Sequence, residues 1–163
     1  MKRRAEVLAE RIERGAEALA AFAETLSEAE WGVPLSMNGG DRRPVGVVVH
    51  HVATVFPIEI DLARAIASGN AVTDVTWQVV ADLNARHAKE KANVTKGETL
   101  ALLRKNSREA ADAIRTFTDE ELDCAAPFSL SAGAPVTAQF VVEDHPLRHS
   151  WHHLSKIRAV LGR

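Results

Sequence analysis

Four of the seven histidines of this 163-residue chain fall between Val141 and Val160. His145, His149 and His153 recur every four residues, so on a helix they stack along one stripe with neighbouring Cβ atoms about 5–6 Å apart. That spacing lets two imidazoles hold one metal ion, as the two histidines of H-E-x-x-H do. The stripe continues into Ile157, Val160 and Leu161, which turns the imidazoles inward, where a metal or a hydrogen-bond network must satisfy them. His152 stands beside the stripe. A second source of imidazole is His50-His51, whose side chains diverge by about 100° on a helix. His51 shares a face with Val47, Val48, Val55, Ile58 and Leu62 and is the inward candidate. His50 keeps company with Gly46, Thr54 and Pro57 and stays open as its alternative.

The elements that must position these residues read as helices. Residues 2–26 carry Leu8, Ile12, Leu19, Phe22, Ala23 and Leu26 at helical spacing. Ser27-Glu-Ala-Glu30 has the form of a capping box and opens a short turn containing Trp31. A loop over 32–43 follows, with Asp41 and Pro44 as start signals for the next helix. That helix runs from Pro44 to Gly69; its valines lean towards strand, but its length and later spacing favour helix, with a kink expected at Pro57. A shorter helix is expected over 73–93, capped by Asp74 or Thr76. Thr95-Lys-Gly-Glu98 then opens a long helix carrying Leu100, Leu103, Ala110, Ile114 and Phe117. Thr118-Asp-Glu-Glu121 is a third box, residues 122–136 read as a loop, and Thr137 caps the final helix. The segments Thr25–Trp31 and Thr116–Leu122 echo one another: each closes a long helix and leads through a Pro-containing loop to a His-bearing one. The fold class is therefore all-α, a four-helix bundle with an additional short helix between the second and third long helices. Such a bundle can build a metal site from facing helices.

Composition bounds the function. The length favours one domain spanning residues 1–163. A net charge of -2 gives no electrostatic footprint for nucleic acid or an anionic membrane. No apolar run is read as reaching the roughly 18 residues of a membrane span. The single cysteine, Cys124, excludes an intrachain disulfide, fits a reducing compartment and reads as incidental. A cytoplasmic protein is expected. No G-x-S-x-G elbow, Gly-rich phosphate loop or C-x-x-C pair offers competing chemistry. A di-iron site would need Glu-x-x-His pairs, and Val142 stands where the Glu before His145 would have to be. A phosphotransfer site on His153 with Lys156 needs one exposed histidine rather than a stack.

V-G-V-V-V-H-H-V-A at 45–53, with H-S-W-H-H-L-S-K-I at 149–157, resembles the DinB/YfiT-like family of metalloenzymes. T-L-S-E-A-E-W, T-F-T-D-E-E-L and D-L-N-A-R-H resemble its members near mycothiol-dependent maleylpyruvate isomerase. The resemblance implies a four-helix bundle, often dimeric, so a homodimer is in view. It implies His51, His149 and His153 as ligands of a divalent ion, zinc or nickel, with a low-molecular-weight thiol as a further cofactor in some members. Lys156 stands where members often have Gln. The 149/153 pair ranks first, with His145 able to replace His153.

Three imidazoles leave an ion its charge and an open position, the arrangement of catalytic rather than structural zinc. The function this implies is a divalent-metal-dependent enzyme acting on a small molecule, a thiol-dependent S-transferase or isomerase, or a hydrolase. The alternative is a non-catalytic protein that binds or sequesters a small molecule. Glu59, Asp144 and His145 are the candidates for supporting the ligands; Glu59 lies eight residues after His51, on roughly the same face. His87 and His152 read as surface residues, Trp31, Trp77 and Trp151 as packing, and Arg148 as an exposed helix arginine.

Overall fold

The structure, a computed structural model, describes residues 3–35 and 42–163. In chain order its helices are α1 (Arg4–Glu24), α2 (Glu28–Trp31), α3 (Val45–Ala67), α4 (Trp77–Glu90), α5 (Lys96–Arg115), α6 (Asp119–Asp123), α7 (Ala138–Val142) and α8 (Arg148–Leu161). A hairpin of β1 (Ala125–Pro127) and β2 (Pro135–Thr137) precedes α7. α7 and α8 are joined by a π-helical turn over Glu143–Leu147, making one closing rod. α1 lies against α5 and α8, and α3 against α5, α7 and α8. The molecule is thus a four-helix bundle of α1, α3, α5 and the closing rod, with α4 as the short helix between the second and third long ones.

The apolar stripes produce this packing. α1 buries Leu8, Ile12, Leu19 and a run of alanines at three- and four-residue intervals, and α5 answers with Leu100, Leu103, Ala110, Ala111 and Ile114. α3 buries 14 of its 23 residues, which is how its valines are held helical against their strand preference: packing on two sides outweighs propensity differences of about 1 kcal/mol. α3 is also long and apolar enough to cross a bilayer, a correction to the expectation that no segment is. Its burial inside the bundle accounts for that composition.

Local signals set the ends. Ser27 and Thr118 form reciprocal capping boxes with Glu30 and Glu121. Thr95 caps α5, but Glu98 reaches the Thr95 hydroxyl at 2.6 Å rather than its backbone N–H. The N-cap of α3 is Pro44; Asp41, the other start signal, lies outside the described residues. Gly69 stops the helix with φ +75, a left-handed conformation that side chains disfavour. Two glycines admit tryptophans: a Cβ on Gly46 would lie 2.3 Å from the Trp31 indole, and one on Gly15 would lie 2.8 Å from that of Trp151.

Three departures from the expected elements bear on the site. α3 continues through Pro57 as one helix. The Ala53 carbonyl, which Pro57 has no N–H to meet, accepts instead from Asn106 Nδ2 of α5 at 2.7 Å. The expected loop over 122–136 holds the last two residues of α6 and all but the end of the hairpin, paired Ala125 to Thr137, Ala126 to Val136 and Pro127 to Pro135; three-residue strands are too short to show alternation in sequence. The final helix is interrupted by the π turn, with Pro146 inside it. α4 is shorter than its expected span and has no buried residue, because it lies outside the bundle. Its leading strap is held where Val72 N–H donates to the Pro127 carbonyl at 2.9 Å and Ser129 Oγ to that of Val75 at 2.6 Å.

Candidate metal centre

His51 of α3 and His149 and His153 of α8 meet where these two helices pack. The nitrogens they can offer all lie within 4.8 Å of one another. His51 Nε2 is 3.2 Å from His149 Nε2. The His153 ring stacks on His149 at 4.9 Å between centroids and stands edge-on to His51 at 5.6 Å. Zinc–nitrogen bonds of about 2.0–2.1 Å separate two tetrahedral ligands by about 3.3 Å, so the 3.2 Å spacing already suits a shared ion.

The other face of His149 is committed. Its Nδ1–H donates to Glu59 Oε1 at 2.5 Å, and Glu59 is only 5% exposed. The carboxylate fixes the tautomer that leaves the Nε2 lone pair directed at His51, which is how carboxylates behind metal-bound imidazoles act. Glu59 reaches this position because α3 does not turn away at Pro57. His153 is buried and its Nδ1 has no hydrogen-bond partner. Burial, then the neighbouring His149 and His51, push its pKa far below the ordinary value, so it is neutral, the state in which imidazole binds a cation. A buried nitrogen without a partner, a buried carboxylate behind a second ring and three convergent imidazoles together form a donor set that fits a divalent ion.

The remaining candidates are placed differently. His145 lies edge-on to Phe128 at 5.5 Å, and burial lowers its pKa. Asp144 pairs with Arg148 at 3.0 Å and stands 3.9 Å from His145 Nε2; neither hydrogen-bonds any of the three clustered imidazoles. The π turn adds residues between the rod's halves and takes His145 out of phase with His149. His50 is also buried, but turns to α4, with its Nδ1 at 2.9 Å from His87 Nε2. His87 is therefore half-buried rather than at the surface, and its pKa is lowered to about 4 by burial first and then by His50, Arg43 and Lys91. Its place on the Val80, Leu83, His87 stripe was the available sequence signal. His152 is half-buried, edge-on to His153, and its pKa is lowered by burial and then by Lys156.

A cavity of about 520 Å³ opens above the imidazoles. Its floor includes His51, His149 and His153; α3 supplies Val55, Ile58 and Leu62 to one wall and α4 supplies Trp77, Val80 and Leu83 to the other. Trp77 lines this mouth at 65% exposure. Trp31 is buried, and Trp151 lies partly exposed over Gly15.

The sequence profile described as the DinB superfamily matches residues 11–157. Among solved structures, YfiT from Bacillus subtilis, described as a probable metal-dependent hydrolase with an unusual four-helix bundle topology, superposes with a TM-score of 0.74. The identity is 18%, over 99% of this chain and 90% of that one. A mycothiol-dependent maleylpyruvate isomerase matches with a TM-score of 0.68 and 14% identity, over 96% of this chain and 63% of the isomerase. No curated protein matches the sequence. At these identities the two structures speak for the shared fold.

Proposed function

The chain belongs to the DinB superfamily, and on that premise we propose that it is a divalent-metal-dependent enzyme acting on a small molecule. The observation that carries this reading is the bridging position of His149, held at Nδ1 by buried Glu59 at 2.5 Å and facing His51 through Nε2 at 3.2 Å. His51, His149 and His153 would hold the ion, zinc or nickel, and leave at least one position open towards the cavity. When bound there, the ion supplies Lewis acidity, polarising a substrate oxygen and acidifying a bound water or thiol. Glu59 keeps His149 in one tautomer and orientation, and burial keeps His153 neutral. The apolar walls limit water around the reacting groups, which strengthens the electrostatics there. The reaction classes this supports are hydrolysis and thiol-dependent S-transfer or isomerisation. The named neighbours, a probable hydrolase and a mycothiol-dependent isomerase, fall in the same two classes.

The test is elemental analysis of protein purified without an affinity tag, before and after incubation with zinc or nickel. One ion per chain is expected in wild type and none in His149→Ala, with both proteins equally helical by circular dichroism. Wild type that takes up neither metal would overturn the reading. It would favour a protein that binds or sequesters small molecules, a reading the cavity of about 520 Å³ supports without any ion.

A further inference from the structure

The cavity walls and rim carry more than the imidazoles use. Val55, Ile58 and Leu62 of α3 face Val80 and Leu83 of α4 across a space large enough for a small organic molecule. Ile58 and Leu83 are 46% and 40% exposed, so apolar surface stands open to water at the entrance, and an apolar ligand body would cover it.

The charged groups of the rim are partly spoken for. Glu59 is held by His149 and Asp144 by Arg148. Arg86 and Glu90 both line the cavity from α4, four residues apart with no ion pair between them among the described residues, and stand on a different helix from His149 and His153. Lys156 differs in its position. It lines the same cavity and lies three residues after His153 and seven after His149, on the imidazole stripe of α8. Among the described residues it makes no hydrogen bond or ion pair with a side chain, and it is exposed. A lysine stem can lie along an apolar wall while its ammonium stays in water, ready to meet an anion.

We infer that the cavity takes an anionic small molecule with an apolar body, the body lying between α3 and α4 and the anion held at Lys156 beside the imidazole cluster. The substrate class of the proposed enzyme is thereby narrowed to amphiphilic anions such as carboxylates. The inference rests on the cavity being that enzyme's substrate site, but the binding it describes does not need the metal.

Isothermal titration calorimetry with octanoate, octan-1-ol and octylamine tests it, using the full chain both EDTA-treated and zinc-supplemented. In EDTA-treated protein octanoate is expected to bind roughly fivefold more tightly than octan-1-ol, the scale of one partly exposed charge-assisted contact, and octylamine more weakly than either. Lys156→Gln should remove the octanoate advantage without changing octan-1-ol binding, and Lys156→Arg should restore it. Leu83→Ser, a change at an exposed position that spares the core, should weaken all three ligands. The proposal is overturned if EDTA-treated protein binds none of them, if octanoate has no advantage there, or if the advantage survives Lys156→Gln. Octanoate binding that needs zinc and ignores Lys156 would end this proposal and leave the metal reading standing. Lys156-dependent binding in a protein that never takes up zinc or nickel would do the reverse.

Discussion

His50 and His51 are adjacent on α3 and almost equally enclosed, at 8% and 6% exposure, yet they have different hydrogen-bond partners. His51 turns to α8 and meets two imidazoles, one of them backed by a buried carboxylate. His50 turns to α4 and meets His87, whose ring also stands edge-on to His51 at 5.8 Å. The contrast separates two reasons for burying a histidine. Two rings sharing one hydrogen bond dock an outlying helix, although Nδ1 of His87 is left buried without a partner, as Nδ1 of His153 is. What sets the three-ring cluster apart is a third convergent nitrogen and a buried carboxylate behind one ring, the donor set that suits a cation.

The largest test of that contrast exchanges alanine for each neighbour. His51→Ala is expected to lose stoichiometric zinc or nickel entirely, and His50→Ala to keep one equivalent by elemental analysis; metal loss in both would merge the two assemblies into one. Next comes the carboxylate. Glu59→Gln should weaken metal binding about 10–100-fold in a chelator competition, and an unchanged affinity would reduce Glu59 to packing.

A third test acts on the other pair, in metal-free protein. Because the folded pKa of His87 is depressed from 6.5 to about 4, the unfolded chain takes up a proton first as the medium acidifies. The stability contributed by the neutral ring is present above pH 6.5 and is lost as pH falls towards about 4. Amide exchange in α4 should quicken across that window, and His87→Leu should flatten the response; an α4 equally protected at pH 7 and pH 4.5 would contradict it. The smallest effect is expected of Asp144→Asn. Asp144 pairs with half-exposed Arg148 instead of an imidazole of the cluster, and such pairs contribute about 0–1 kcal/mol. Metal affinity should therefore stay within about twofold, measured by the same competition.

Much of the scaffold was legible because its signals are local. The Ser27 and Thr118 boxes, the leucine and alanine stripes of α1 and α5, and the length of the valine-rich helix each follow from residues a few positions apart. The face shared by His149 and His153 is legible for the same reason. What could not be read depends on partners far along the chain. Pro57 pointed to a kink, whereas the continuity of α3 involves Asn106, 49 positions on and one helix away. Without knowing that, Glu59 could equally have faced solvent. The apolar stripe of α4 was visible, but periodicity does not say whether such a stripe covers a core or walls a cavity. His87 followed the same ambiguity. The hairpin escaped notice because three residues per strand are too few for a pattern.

The turn at Glu143–Leu147 has a consequence beyond the misalignment of His145. In an unbroken α-helix every residue is geared to every other at about 100° per position, so α7 could not settle against its neighbours without dictating where the rings of α8 aim. The looser loop of backbone acts as a clutch: each half is free to find its own angle. Deleting one residue from this span would engage the gears again, forcing either Val141 and Val142 out of the interior or the metal-facing rings out of the cleft. Related chains that conserve the length of this span, while varying its letters, would be conserving an angle.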